Sequence, residues 1–530
     1  MNQLLFTLCF LLLLPVAAPA QNKTKKKAEE PVRLISLDYN GERGPLNRMF
    51  NECVGAGRAN EGLRADWQQQ LAYVKEECGF RYIRMHGLLS DDMAVYREDR
   101  KGNPVYSFMY LDALFDYLLS IDIKPFIELG FMPSALASGP QTIFWWRGNV
   151  TPPKDYDKWE ELIRQLTLHL TERYGEEEVK TWYFEVWNEP NLSPGFWSGS
   201  MEDYFKLYEY SVKAIKSVNP AYRVGGPGTA GAAWEPEMIA FCTEKGLPLD
   251  FVSTHSYGVR QGYLDEFGNS GTVLDQNPMS VSGDVLRSRA EIDASPMPGL
   301  ELHYTEWSSS YTPSDPIHDS YHQAAYVLQK LKQVGTAASS MSYWVFTDIF
   351  EEAGPRFEPF HGGFGMLTIQ GINKPVFYAY RFLNQLGETE LVNTDASSWA
   401  CRDRDGNLQV LAWDFTNTHP GDSVNNQEYY IRDLPSRSKG KLKVEVKDLP
   451  AGLYRLEVYK VGYRCNDAYS TWLSMNKPAQ LTREQVKTIR EMNDGAPVMN
   501  ALVNVKNGEG FEQELELREN DVFLLKLVHL

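Results

Sequence analysis

Short apolar runs and amphipathic stretches of helical length alternate eight times between about residues 49 and 386. The apolar runs have the length of buried strands, and the stretch Tyr156–Tyr174 repeats apolar residues with the helical period. Strands that alternate with helices predict parallel β-α units. Eight such units favour a closed (β/α)8 barrel, the TIM barrel of the α/β class, over an open doubly wound sheet.

The predicted bounds of these elements follow the apolar runs and the helical period. The predicted strands are Phe50–Gly55, Tyr82–Met85, Lys124–Leu129, Trp182–Val186, Arg223–Gly226, Phe251–His255, Glu301–Thr305 and Ser342–Phe346. The predicted helices are Ala65–Cys78, Leu111–Ile121, Tyr156–Tyr174, Met201–Ser217, Glu235–Lys245, Gly283–Ala294, Asp319–Val334 and Lys374–Leu386. The carboxyl ends of all the strands are expected to meet at one mouth of the barrel.

After about Gly387 the pattern changes to short alternating runs separated by turn signals such as Asp405-Gly406-Asn407. This pattern predicts a C-terminal antiparallel β-sandwich, which a helical insertion at Pro478–Asp494 interrupts. The alternating run Val32–Tyr39 is expected to add a strand to the same sandwich. The predicted domains are therefore an N-terminal strand region at 31–45, a barrel at 46–388 and an accessory sandwich at 389–530.

The first 30 residues have the pattern of an export signal followed by a charged leader. An apolar run from Leu4 to Leu14 and the sequence Ala18-Pro19-Ala20 predict a signal peptide at residues 1–20, although its start lacks Lys and Arg. The run is shorter than the ~20 residues that a membrane-spanning helix needs. We therefore expect residues 21–30 to be a solvated leader and the protein to be exported, either periplasmic or secreted, without an integral membrane span.

The composition excludes several classes of partner. With 53 Lys and Arg against 70 Asp and Glu, the net charge of −17 gives no electrostatic reason to bind nucleic acid.

The sequence contains no convincing metal or cofactor motif. The cysteines that follow Cys9 are widely spaced and form no C-x-x-C motif, although their pattern does not exclude one structural disulfide. The stretch 226–231 matches a dinucleotide fingerprint, but Asp250 precedes the next predicted strand rather than closing it. We therefore predict no metal and no cofactor; a homo-oligomer stays open.

Two glutamates stand at the ends of predicted strands. The strand Trp182–Val186 leads into Trp187-Asn188-Glu189-Pro190, and Glu306 follows the strand Glu301–Thr305. The separation of 306 − 189 = 117 residues is that of three β-α units, which places the pair at strands 4 and 7. Retaining glycoside hydrolysis requires two such facing carboxylates, one to protonate the leaving oxygen and one to attack the anomeric carbon.

The motif Asn188-Glu189-Pro190 with Glu306 resembles the retaining glycosidases of the clan A barrels. Longer passages resemble glycoside hydrolase family 39, the family of β-xylosidases and α-L-iduronidases, and within it the bacterial β-xylosidases. These passages are Cys53–Cys78, Tyr82–Asp92, Pro125–Ala137, Gly148–Trp159, Tyr343–Gly371, Val461–Asp467 and Leu481–Gln485. The resemblance covers nearly all of residues 31–530.

The resemblance implies a role for each matching residue. Glu189 would be the general acid/base and Glu306 the nucleophile, while Asn188 would hydrogen-bond the 2-hydroxyl of the sugar. The other implied substrate-binding residues lie at or just after strands 2, 6 and 8: His86 for sugar hydroxyls, His255 and Tyr257 beside the nucleophile, Trp344 as an apolar floor, and Glu351 and Glu352 for the outer hydroxyls of a pentose.

The expected activity is that of an exo-acting retaining β-xylosidase, which releases xylose from the non-reducing ends of xylo-oligosaccharides. One alternative is the same machinery acting on an α-L-arabinoside or an α-L-iduronide. Uronate binding would need a cation, for which Arg260 and Arg356 are the nearby candidates. A second alternative is a carbohydrate-binding protein without catalysis, since a fold alone does not establish activity.

Overall fold

The computed structural model of the chain describes residues 31–264, 270–421 and 425–530. The predicted signal peptide and leader lie outside these residues. Within the described residues, eight strands close into one barrel, and each strand pairs with the next in sequence. They are β1 (Cys53–Arg58), β2 (Tyr82–His86), β3 (Lys124–Leu129), β4 (Tyr183–Val186), β5 (Arg223–Thr229), β6 (Phe251–Tyr257), β7 (Glu301–Ser308) and β8 (Ser340–Tyr343). The barrel closes where Tyr343 pairs with Val54 in parallel register.

A helix follows each barrel strand and buries its apolar stripe. These helices are α1 (Ala65–Cys78), α2 (Met109–Ser120), α3 (Tyr156–Tyr174), α4 (Met201–Val218), α5 (Glu235–Lys245), α6 (Ser282–Asp293), α7 (His322–Val334) and α8 (Pro375–Asn384). Polar side chains begin two of them. The Asp155 carboxylate accepts backbone hydrogen bonds at the start of α3, and Ser200 and Asp203 form a capping box on α4. The predicted (β/α)8 barrel is confirmed.

Several bounds differ from the prediction by one to three residues, and three of these differences have a local structural reason. β1 begins at Cys53 because residues Met49–Asn51 form a separate turn of 3-10 helix. α7 begins at His322 because another such turn occupies Pro316–Asp319. β8 ends at Tyr343, and Trp344 leaves the strand ladder to lie across Gly55, where any larger side chain would collide with its ring.

The barrel interior is apolar at one end and charged at the other. Four buried rings and one thiol close the amino ends of the strands, and this layer contains Cys53, Tyr82, Phe126, Tyr183 and Phe251. Along β2, the residues that follow Tyr82 on the same face are Arg84 and His86, both fully buried. The polar half of the interior therefore opens at the carboxyl ends of the strands, where barrel enzymes carry their active sites.

Two sheets form the second domain in the part of the chain that the structure describes. The larger sheet has the strand order Glu42–Pro45, Thr389–Leu391, Ser398–Arg402, Leu408–Trp413, Val522–His529, Gly452–Val461 and Met499–Val505. The smaller has the order Val32–Asp38, Ser438–Lys447 and Phe511–Arg518. The predicted sandwich is confirmed, with one parallel pair, because Val32–Asp38 runs parallel to Ser438–Lys447. The helical insertion consists of Ala468–Ser474 and Arg483–Met492.

The sandwich contacts the mouth of the barrel through the 3-10 helix Asn426–Ile431. Asn426 accepts a hydrogen bond from the Leu274 amide at 2.8 Å and donates one to the Leu274 carbonyl at 3.0 Å. Leu274 ends the hairpin Val259–Leu264 and Ser270–Leu274, which follows β6. The accessory domain therefore braces one wall of the mouth.

Two other predictions concern the cysteines and the membrane. Each cysteine among the described residues is a free thiol. Of the helices that the structure describes, none is long and apolar enough to cross a bilayer.

Candidate active site

The two predicted glutamates meet at the mouth of the barrel. Glu189 lies in the turn after β4, held by a 2.8 Å hydrogen bond from its amide to the Gly228 carbonyl, and Glu306 lies on β7. A carboxylate oxygen of each, together with a ring nitrogen of His255, falls within a group whose members are all within 4.8 Å of one another. Glu189 has φ +45°, a left-handed conformation that is unusual for this residue type and that the surrounding barrel enforces.

Both oxygens of Glu306 are held by donors. Arg84 donates from Nη1 to Oε1 at 2.6 Å, and the Tyr257 hydroxyl donates to Oε2 at 2.7 Å. Burial raises the pKa of Glu306, while the positive charge of Arg84 opposes that shift. The two fixed donors orient the carboxylate and favour its ionised form, which is the form that can act as a nucleophile.

Among the described residues, neither Lys nor Arg pairs directly with the Glu189 carboxylate. Burial raises the pKa of its carboxyl to about 7, against the opposing positive charges of His86 and Arg84. Its Oε1 lies 2.9 Å from Nδ1 of His255. A carboxyl with a pKa near neutrality can carry a proton and give it up, as a general acid must.

A chain of hydrogen bonds determines which nitrogen of His255 carries the proton. Burial lowers the pKa of His255 to about 4, so the ring is neutral. The Thr305 hydroxyl donates to the Glu185 carboxylate at 2.7 Å, and the same oxygen lies 3.1 Å from Nε2 of His255. Since the Thr305 proton is already used, Thr305 accepts from Nε2–H. The bare Nδ1 is then an acceptor, and its partner at 2.9 Å is the protonated form of Glu189.

His86 joins the opposite wall of the site. Its Nδ1 lies 2.6 Å from Oε2 of Glu128, and its Nε2 lies 3.4 Å from Oε1 of Glu352. Burial by itself would lower the pKa of His86, but the charge and hydrogen bond of Glu128 outweigh it and raise the pKa to about 10. His86 is therefore a cation at neutral pH. Its ring lies 4.8 Å from that of Trp344, which forms a neighbouring part of the wall.

Glu189 and Glu306 face a cavity of about 570 Å³. The structure brings most of the predicted site residues to its lining, namely His86, Asn188, Glu189, Tyr257, Glu306, Trp344 and Glu352. Trp344 follows β8 rather than lying on it. His255 lies behind this lining and contacts Glu189. The cavity is also lined by residues that the sequence did not single out, including Leu192, Phe196, Val259, Tyr311 and Phe364.

Glu351 lies apart from the other predicted substrate-binding residues. Its carboxylate accepts from Arg58 at 3.0 Å and from Arg64 at 3.1 Å, and it does not line the cavity. The structure therefore does not bring Glu351 to the cavity: these two arginines hold its side chain, and Glu352 is the member of the acidic pair that lines the cavity. The role implied for Glu351 at the outer hydroxyls of a sugar stays a prediction.

Buried charges that the sequence pattern did not single out lie beneath Glu189 and Glu306. Arg84 donates from Nε to Glu185 at 2.7 Å and from Nη2 to Asn188 at 2.8 Å, and it lies 3.0 Å from Glu128. Burial would lower the pKa of Arg84, but the three neighbouring carboxylates outweigh it and raise the pKa. The available signal was a charged residue inside an apolar barrel strand, which has to be paired when it is buried.

The group formed by Glu189, His255 and Glu306 has a donor set that would suit a divalent metal ion. The guanidinium of Arg84 at 2.6 Å from Glu306 and the cationic His86 at 3.5 Å from it oppose a second positive charge there. The arrangement instead fits a reaction that needs two carboxylates and develops positive charge on its substrate.

Two facing carboxylates in a cavity at the mouth of a (β/α)8 barrel define a glycoside hydrolase. Comparison with known proteins agrees. The family model described as glycosyl hydrolases family 39 matches residues 33–509. The chain belongs to this family, and the family resemblance predicted from the sequence is confirmed.

Relatives of known activity are similar along most of their length. A β-xylosidase of Caldicellulosiruptor saccharolyticus is 39% identical over 464 residues, which are 86% of this chain and 90% of that protein. A β-xylosidase of Geobacillus stearothermophilus is 39% identical over 467 residues, 86% of this chain and 88% of that protein. The crystal structure of a monomeric β-xylosidase from Caulobacter crescentus CB15 has a TM-score of 0.90 at 44% identity and covers 94% of this chain and 100% of that one.

Proposed function

We propose that this glycoside hydrolase is an exo-acting, retaining β-xylosidase that releases xylose from the non-reducing ends of xylo-oligosaccharides. The observation that carries the proposal is the placement of a Glu189 oxygen and a Glu306 oxygen within 4.8 Å of one another. Retaining enzymes hold their two carboxyl groups about 5–5.5 Å apart, whereas inverting enzymes need about 6.5–9.5 Å to admit a water. The short separation supports direct attack on the sugar.

In the first step, Glu306 attacks the anomeric carbon while Glu189 protonates the glycosidic oxygen, and the aglycone leaves. Arg84 and Tyr257 keep the nucleophile oriented and ionised. The bare Nδ1 of His255 keeps the proton on Glu189 until the substrate oxygen replaces that nitrogen as its acceptor. The products of this step are the free aglycone and a glycosyl ester of Glu306.

In the second step, Glu189 acts as a base. Ester formation removes the negative charge of Glu306, and the loss of a neighbouring negative charge lowers the pKa of Glu189. The Glu189 carboxylate then takes a proton from water, whose oxygen attacks the anomeric carbon from the face by which the aglycone left, and the bond from that carbon to Glu306 breaks. The sugar is released with its original anomeric configuration, and the Glu306 carboxylate is free again.

The proposal of a xyloside as substrate draws on the cavity and on the relatives. A volume of about 570 Å³ suits a short glycoside rather than a long chain. Glu352 and the cationic His86 place an acceptor and a donor where hydroxyls of a sugar would lie, and Trp344 gives an apolar face. The named β-xylosidases that resemble the chain over most of their length support the same substrate class.

A uronide is a poorer substrate for this cavity. Glu352 would repel a sugar carboxylate, and the two arginines considered for that role, Arg260 and Arg356, are not among the lining residues. The Arg356 guanidinium instead donates to the Pro313 carbonyl at 3.1 Å. A panel of aryl glycosides tests the choice: we expect turnover of the β-xyloside, and turnover of the α-L-iduronide alone would refute it.

A 2-fluoro-xyloside with a good leaving group tests mechanism and substrate together. We expect stoichiometric inactivation and a mass increase of one fluoro-xylosyl unit on the peptide that contains Glu306. The Glu306→Gln protein, with the same shape and no nucleophile, is the matched control and should gain no mass. A label on any other residue, or no label on the active protein, would contradict the proposal.

A further inference from the structure

A second cavity, of about 530 Å³, lies between the barrel and the sandwich. Three separate parts of the chain line it: the outer face of α1, the loop Leu367–Asn373 after β8, and the end of the helix Arg483–Met492 with the residues after it. We call it the junction cavity. None of the residues that line it lines the catalytic cavity. Ligand sites occur preferentially at such junctions between domains.

One wall of the junction cavity is an aromatic ring held in a fixed position. Tyr73 stacks on Phe377 with an interplanar angle of 15° and a centroid distance of 5.2 Å. Its hydroxyl accepts a hydrogen bond from Asn373 at 3.0 Å. The residue is nevertheless 36% exposed. A ring that is packed on one face, fixed at its hydroxyl and open on the other side can bind the apolar face of a sugar at little cost in conformational entropy.

Polar groups with unused capacity lie around this ring. The side-chain oxygen of Gln370 is shielded from solvent and has no hydrogen-bond partner among the described residues. The exposed Arg490 guanidinium donates to the Gln370 carbonyl at 2.5 Å, which leaves further N–H groups. Gln69, on the face of α1 that carries Tyr73, is also exposed. The further N–H groups of Arg490 and the exposed amide of Gln69 match a ligand that offers both acceptors and donors, as a hydroxyl does.

The charges around the junction cavity favour an uncharged ligand. Asp66 is paired with Arg64 at 2.9 Å, and the one cation of the lining, Arg490, is accompanied by Asp494. A strongly charged ligand of either sign would be repelled by some of these groups, whereas an uncharged ligand would not. We propose that the junction cavity is a second, non-catalytic binding site for a neutral polysaccharide chain, with Tyr73 as its stacking platform.

Such a site would hold a polymer beside the enzyme and raise the local concentration of chain ends. The proposal goes beyond the catalytic function, and only the choice of xylan as the first probe rests on it. It predicts that binding to a polymer and cleavage of a small glycoside depend on different residues.

Affinity electrophoresis in gels that contain soluble arabinoxylan tests the inference. The protein carries Glu306→Gln to stop turnover, and Tyr73→Ala is compared with Tyr110→Ala, which removes another exposed tyrosine from α2. We expect Tyr73→Ala to weaken polymer binding about tenfold and Tyr110→Ala to leave it unchanged. With Glu306 intact, Tyr73→Ala should cleave an aryl xyloside with the kcat/KM of the unmodified chain.

Equal retardation of the two tyrosine variants would overturn the second site, as would the absence of retardation in the parent protein. Gln69→Ala removes an exposed side chain from the same wall and gives an independent reading if Tyr73→Ala fails to fold. Gels with a soluble β-glucan and a galactan separate the two proposals. Tyr73-dependent binding of one of these, without xyloside turnover, would refute the β-xylosidase and retain the second site.

Discussion

Removing the Thr305 hydroxyl should lower the pH at which the enzyme loses its acid form. In the native site, Thr305 accepts from Nε2–H of His255, so Nδ1 is bare and stabilises protonated Glu189. Thr305→Val keeps the shape of the side chain but leaves Nε2–H without an acceptor. The imidazole can then carry its proton on Nδ1, from which it would donate to the Glu189 carboxylate and favour its ionised form.

The expected size of the shift follows from these hydrogen bonds. Losing a bond to the neutral acid removes about 1 kcal/mol, and gaining one to the carboxylate adds about 1.5 kcal/mol in favour of ionisation. At 1.36 kcal/mol per pH unit, these amount to about 0.7 and about 1.1 units. The pKa of Glu189, about 7 in the native protein, should therefore fall to between about 5 and 6.5.

The pH dependence of kcat/KM on an aryl xyloside reports this pKa, since it follows the ionisation of the free enzyme. The proposed mechanism requires protonated Glu189, so activity should fall as pH rises through its pKa, and the alkaline limb should move to lower pH in Thr305→Val. Thr167→Val makes the same change at a buried threonine of α3 and should leave the limb in place. A limb that stays in place in Thr305→Val, or that moves to higher pH, would refute the assigned direction of these hydrogen bonds.

Three further predictions follow from the same site. Glu306→Ala should abolish turnover of aryl xylosides, and azide should restore it with an inverted product; near-native activity in this variant would end the assignment of the nucleophile. Glu352→Gln should raise KM, whereas Glu351→Gln, whose carboxylate pairs with arginines outside the cavity, should not, and equal effects would contradict the placement. Arg84→Met should lower the free energy of unfolding in urea by about 3–5 kcal/mol, because it leaves buried carboxylates unpaired, while Arg164→Met at an exposed pair should cost at most about 1 kcal/mol.

The sequence predicted the barrel well because its signals are local. α3 was predicted with the bounds that the structure has, because an apolar stripe of helical period runs along it, and in the structure it begins after a capping aspartate and ends at a glycine. The end of β8 was predicted wrongly, because Trp344 leaves the strand ladder to pack on a glycine of β1, which is distant in sequence and adjacent only in the fold. The export signal at residues 1–20 stays a prediction.

The site could be predicted in part, because the carboxyl ends of all the barrel strands meet at one mouth. The spacing of Glu189 and Glu306 by three β-α units was sufficient to expect them together. Adjacent Glu351 and Glu352 could not be told apart, because each could face the cavity until the arginines that hold Glu351 were placed. The buried charges around Arg84 carried only a faint signal.

By itself, the sequence determined the order of strands and helices, the class of fold and the two glutamates that face each other. All three can be read from the periodicity of apolar residues and from positions along the chain, which are local properties of the sequence. Only the tertiary structure decided the pKa of each glutamate, the proton position on His255 and which of the paired acids lines the cavity. Burial and hydrogen bonding set these properties, and both come from residues that are distant in sequence and adjacent only once the barrel has closed.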